Sequence, residues 1–127
     1  QEIRRRRLVS GFASGTFSGT FWSISSAPSS YRVEFGYSKA LAREVLCAVR
    51  AGLDPLTDAE AGILANHGYL TADAALRTHA RQLLPRIVPG LRLPAPAWSP
   101  ADPEIERRVR VALRGSARRA GWWRLGA

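Results

Sequence analysis

The apolar positions of this chain fall into short blocks whose period changes from block to block. Residues 37–51, "YSKALAREVLCAVRA", carry the first clear helical pattern. Leu41, Val45, Ala48 and Val49 share one face, and Lys39, Arg43, Glu44 and Arg50 lie mostly elsewhere. Ser38 fits the N-cap, and Gly52 fits the position after the last turn, where a left-handed residue is favoured. In "DPLTDAE", Thr57 and Glu60 have capping-box spacing, and Asp58 adds negative charge at a helix start. The pattern predicts a helix from about Asp58 to about Thr78, with Ala61, Leu64, Gly68, Ala72 and Ala75 on a face of small residues that another element can approach. A break at Gly68, with Thr71 capping a second helix, is the alternative; one helix is preferred.

Residues 20–24, "TFWSI", are aromatic and β-branched and predict a short strand. "SSAPSS" then reads as a loop around Pro28. Six prolines between Pro85 and Pro103 forbid a regular helix there, so this segment is expected as an extended tail on a surface or in solution. Asp102-Pro103 opens a last helix with a narrow apolar stripe of Ile105, Val109, Ala112 and Leu113. Arg107, Arg108, Arg110, Arg114, Arg118 and Arg119 cover its other faces.

Composition adds a charge. The chain has 127 residues, one ordinary domain, with a formal net charge of +9 that is almost entirely arginine, Lys39 being the only lysine. A coding bias toward Arg and Ala accounts for this; so does an anionic partner, nucleic acid or membrane. Two places can carry such binding. One is "RRRR" at 4–7, which is the charged side of a short helix or a phosphate-binding patch. The other is the last helix with Trp98, Trp122 and Trp123, which is equally a solvated appendix. Cys47 is alone, so neither an intrachain disulfide nor a cysteine metal cluster forms. No apolar run approaches a membrane span, and no secretory leader pattern opens the sequence. Gln1 at the start and the lack of Met suggest a piece of a longer protein.

The stretch "SGFASGTFSGTFW", Ser10 to Trp22, raises the question of a serine nucleophile. The elbow that activates serine requires G-x-S-x-G. Here Gly11 to Gly15 reads G-F-A-S-G and Gly15 to Gly19 reads G-T-F-S-G, so Ser14 and Ser18 sit one place off. Four-residue spacing also excludes the dinucleotide fingerprint, and no G-K-[ST] phosphate loop occurs. On a helix, Gly11, Gly15 and Gly19 would form one close-packing stripe. His67 and His79 lack metalloprotease spacing, and His67 reads as a packed, hydrogen-bonded residue. Asp73 and Arg77 are i,i+4 neighbours and predict a structural ion pair.

Several short motifs, taken in order, resemble the bacterial patatin-like phospholipases. The Arg-rich segment from Gln1 to Val9 comes first, then Gly19, Thr20, Phe21, Trp22, Ser23 and Ile24, similar to a family strand in which Ser23 replaces the usual Gly. A "VRxxLDxxxDAE" segment follows, matched from Val49 through Asp54 to Asp58, Ala59 and Glu60. Last comes "LxNHGYxxADAAxRxH", matched by Leu64, Asn66, His67, Gly68, Tyr69, Ala72, Asp73, Ala74, Ala75, Arg77 and His79. The likeness covers residues 1 to about 80. It implies a three-layer α/β fold with a Ser-Asp dyad acting on lipid esters. It also implies a Gly-rich oxyanion loop.

None of those catalytic motifs occurs in this chain: Asp54, Asp58, Asp73 and Asp102 are followed by Pro, Ala, Ala and Pro rather than Gly. The expectation is therefore a mostly α-helical fragment with one short strand, the C-terminal part of a patatin-like three-layer αβα domain. Residues 1–84 belong to that domain, 85–102 form a Pro-rich linker and 103–127 a basic helical tail. Its role is scaffolding in a lipid acyl hydrolase that is cytoplasmic and peripheral to the membrane, with lipid reached through the parent enzyme. No catalytic, cofactor-binding or metal residue is assigned. No specific nucleic acid is expected, and exposed apolar faces predict self-association. The alternative is a stand-alone basic module for nucleic acid or anionic membrane.

Overall fold

A computed structural model describes residues 2–49 and 55–115. The described residues hold four α-helices: α1 (Glu2–Ala13), α2 (Lys39–Glu44), α3 (Asp58–His79) and α4 (Ile105–Ala112). Short 3-10 turns stand at Pro28–Tyr31, Leu46–Ala48, Arg81–Leu83 and Pro96–Trp98. The described residues contain no strand. Gly52, part of the 49–54 motif, and the tail from 116 with Arg118, Arg119, Trp122 and Trp123 lie outside them.

The centre is α3, a single unbroken helix of 22 residues. Its start is fixed as the sequence predicts. The Thr57 hydroxyl accepts from the Glu60 N–H (3.2 Å), and the Glu60 carboxylate accepts from the Thr57 N–H (2.8 Å). Such a box satisfies two helix donors that otherwise have no partner and contributes about 1 kcal/mol. The buried face differs from the expected one. Ala61 and Gly68 are exposed, and the inward residues are Glu60, Ile63, Asn66, His67, Leu70, Thr71, Ala74 and Ala75. So many alanines and glycines give the sequence little amphipathic contrast, and the few bulky or polar side chains decide which side turns inward.

α2 is shorter than its pattern. Ser38 caps it as expected, its hydroxyl accepting from the Leu41 N–H (3.0 Å). The helix then tightens into the 3-10 turn at 46–48, which buries Leu46 and leaves Ala48 exposed. Leu41, Ala42 and Leu46 meet Ile63 of α3, Tyr37, and Ile105, Val109 and Leu113 in one core. Ile105 and Val109 belong to α4 and Leu113 caps its C-terminal end, so that helix is part of the core and not an appendix. Glu106 ties it to α2: its two carboxylate oxygens accept from the Ser38 N–H (2.9 Å) and hydroxyl (3.1 Å). Arg110 adds an ion pair to Glu44 at 2.9 Å.

The strand expected at 20–24 is absent. A strand needs a neighbour's N–H and C=O groups, and here side chains take that place. The Tyr31 hydroxyl donates to the Phe21 carbonyl (2.6 Å), and His67 Nε2 bonds the Ile24 carbonyl (2.8 Å). Nor do Gly11, Gly15 and Gly19 share a helical face. α1 stops at Ala13, and Gly15, at φ 75°, turns the chain in the left-handed region that glycine tolerates.

The proline segment is not free in solution; it is strapped across α3. Gly62 makes the approach close: a Cβ there would lie 3.1 Å from the Ala95 Cβ and 3.3 Å from a Trp98 ring carbon. A Cβ at Gly68 would meet nothing within 4 Å. Opposite outcomes follow for two glycines of one helix. Gly68→Ala is expected to raise stability by about 0.5–1 kcal/mol. Gly62→Val is expected to lower it by about 1–3 kcal/mol by pushing the strap away. Urea denaturation followed by circular dichroism reads both.

Candidate functional site

The richest polar cluster lies where the strap crosses α3. Asn66, fully buried, faces residues 95–98. Its Nδ2 donates to the Ala95 carbonyl (2.8 Å) and the Trp98 carbonyl (3.2 Å), and more weakly to the Tyr37 hydroxyl (3.3 Å). Its Oδ1 accepts from the Ala95 N–H (2.8 Å). One primary amide thereby satisfies backbone groups of a segment that forms no ladder of its own. The Tyr37 hydroxyl also donates to the Trp98 carbonyl at 2.7 Å. Burial pushes the Tyr37 phenol pKa up, the Asn66 hydrogen bond opposes this, and the Glu106 charge adds to it.

His67 stands beside Asn66. Its ring stacks on Tyr37, with centroids 6.2 Å apart and planes 17° from parallel. Because Nε2 meets a carbonyl, that nitrogen carries the proton, and Nδ1 presents a lone pair. Nδ1 and the Thr71 hydroxyl oxygen are buried without a hydrogen-bond partner. Burial holds the imidazole pKa below its ordinary value. The Ile24 carbonyl, and more weakly that of Ser26, pull the other way, the latter without a hydrogen bond to Nδ1. His67 is thus the packed, hydrogen-bonded residue expected from the sequence.

The remaining candidates separate. Arg77 Nε reaches both oxygens of Asp73 at 2.9 Å, the predicted pair, and its Nη2 donates to the Pro89 carbonyl at 3.1 Å. His79 lies edge-on to Tyr31, 5.8 Å between centroids. The Ser14 hydroxyl donates to the Gly11 carbonyl (3.2 Å) and shares a hydrogen bond with Thr16 (2.9 Å). Among the described residues no hydrogen bond links Ser10, Ser14 or Ser18 to a histidine or carboxylate. No group of three His, Cys, Asp or Glu side chains gathers there either.

The arginines of α4 are engaged. Arg107 pairs with Glu104 at 2.8 Å, and Arg108 pairs with Asp102 and lies 4.9 Å above the Trp98 ring. The Glu104 N–H and then Arg108 hold the Asp102 carboxyl below the usual range. On α1, Arg5 and Arg6 reach Glu2 at 3.8 and 3.5 Å, Arg5 also lies 5.9 Å from the Phe21 ring centroid, and Arg4 and Arg7 meet no carboxylate among the described residues. No helix among the described residues is long and apolar enough to cross a membrane.

The role of Asn66 was not legible in the sequence, since its partners are backbone atoms 29 and 32 residues away. The nearest signal was a polar side chain flanked at i−3 and i+4 by the apolar Ile63 and Leu70. Compared with protein-family models, with curated proteins and with solved structures, the chain finds no match in any of the three.

Two stability predictions follow from the cluster. Asn66→Ala removes the strap's partners and is expected to cost about 2–4 kcal/mol. Asn66→Asp fits the same space but turns a carboxylate oxygen toward two carbonyls, so its loss should be at least as large. For His67 the folded pKa is depressed. The unfolded chain takes up a proton near pH 6.5 while the folded chain resists it. Stability is therefore full above that pH and erodes as pH falls below it. Urea midpoints at a series of pH values should show this slope, flattened in His67→Gln.

Proposed function

We propose that this chain is a scaffold segment of a patatin-like lipid acyl hydrolase and carries no nucleophile of its own. The observation behind the proposal is where the resembling motifs go. The 19–24 segment and the helix before the "DAE" motif converge on the "NHGY" helix, α3, through the His67–Ile24 bond and the contact of Leu41 and Leu46 with Ile63. The polar motif residues Asn66, His67, Asp73 and Arg77 serve this packing, each bonded to backbone or to one another. Their chemistry holds helices and straps in place.

Large apolar side chains on the surface support a segment that leans on further structure. Ile87 is 86% exposed and Leu83 65%, and Leu91 and Val111 are also open. Isolated exposed apolar residues are ordinary; several large ones between Leu83 and Leu91 are what a segment that leans on further structure would carry. In the parent enzyme that cover is the sheet bearing the serine elbow, and the partner lipid meets the enzyme there.

Two measurements test the reading. The isolated chain should not hydrolyse a short-chain nitrophenyl ester above background. Activity that disappears when Ser10, Ser14 and Ser18 are all changed to alanine would overturn the proposal. The coding sequence upstream of Gln1 should continue in frame into G-x-S-x-G. A stop codon in its place, with no such motif, also counts against it.

A further inference from the structure

The segment after α1 folds back on the helix and leaves a groove. Gly15 turns the chain, the Phe17 N–H donates to the Gly11 carbonyl (3.1 Å), and the Phe17 ring packs directly against Gly11. A Cβ at position 11 would sit within 2.4 Å of two ring carbons, so only glycine admits the ring. Ile3, Arg6, Arg7, Ser10 and Gly11 repeat at three- and four-residue spacing along one side of α1, and Ser14 follows just past its end. With Thr16 and Phe17 they line an open groove of about 560 Å³.

Two properties meet in it. Its apolar lining residues are open to solvent, Ile3 72% exposed and Phe17 51%. Beside them it is lined by arginines: Arg6 holds Glu2 only at 3.5 Å and remains 80% exposed, and Arg7 has no carboxylate among the described residues. This helix carries four successive arginines and one carboxylate, Glu2, which only Arg5 and Arg6 reach, whereas Arg107, Arg108 and Arg110 of α4 each have one of their own. A surface that sets free arginines around exposed apolar side chains complements an interface with phosphates outside and hydrocarbon beneath.

We propose that this groove docks the chain on an anionic phospholipid bilayer, with Arg6 and Arg7 on headgroup phosphate and Ile3 and Phe17 among the first acyl methylenes. Nucleic acid fits less well: its phosphates reward the arginines but give Ile3 nothing to enter. The inference does not rest on the acyl-hydrolase reading, since a chain without esterase activity binds a bilayer by the same groove.

Flotation of the 127-residue chain with phosphatidylcholine vesicles, with and without phosphatidylglycerol, tests it. Binding should require phosphatidylglycerol and weaken with salt. A basic side chain near an anionic surface is worth about fivefold in binding, so R6Q/R7Q should weaken it by about 30-fold. I3S should weaken it severalfold with no change of charge. R43Q/R86Q removes the same charge from exposed sites elsewhere and should leave binding within about twofold. These positions are exposed, so circular dichroism and urea midpoints should be unchanged in every variant. Failure to float with phosphatidylglycerol vesicles overturns the proposal. So does equal loss in the two arginine pairs, or binding to a duplex oligonucleotide, lost in R6Q/R7Q, in place of binding to vesicles.

Discussion

Everything else in this structure hangs on the contact between the Asn66 side chain and the backbone of residues 95–98. A proline-rich segment cannot form a helix and here joins no sheet, so its N–H and C=O groups must find partners elsewhere or stay in water. Asn66 supplies a donor and an acceptor on one planar group and meets both polar atoms of Ala95. Gly62, one turn earlier, removes the Cβ that would hold the strap off. Trp98 is then placed for Arg108 to lie on its ring, and Arg108 is a residue of α4. The polar clamp, the missing side chain and the cation over the ring act in sequence along the chain and deliver Ile105 and Val109 to the core.

This order of dependence explains what could and could not be read from the sequence. Local devices were legible: the Thr57–Glu60 box, the Ser38 cap and the Asp73–Arg77 pair each involve residues three or four apart. The length of α3 followed from such a cap and from alanine-rich continuity. Its inward face did not, because alanine is tolerated on either side of a helix and the deciding contacts come from residues 24, 37 and 95. The strand at 20–24 was misread for a related reason. β-branched and aromatic residues favour an extended chain, and whether that chain becomes a strand depends on a neighbour that sequence pattern does not name. Here Tyr31 and His67 take its carbonyls.

Arginine carries the same lesson at the surface. The sequence offers two arginine-rich helices, and composition cannot tell them apart. The structure separates them by what lies opposite. On α4, Arg107, Arg108 and Arg110 face Glu104, Asp102 and Glu44, and the apolar stripe between them is spent in the core. Exposed pairs of this kind contribute little stability singly, but they leave little free charge to attract a partner. On α1 the carboxylates are nearly absent, the helix buries only Gly11, and apolar and cationic side chains stand open together. An intramolecular role uses up charge and apolar surface; an intermolecular one must keep both available. By that criterion the two arginine-rich helices differ: α4 uses its charge and apolar stripe within the fold, and α1 keeps both open.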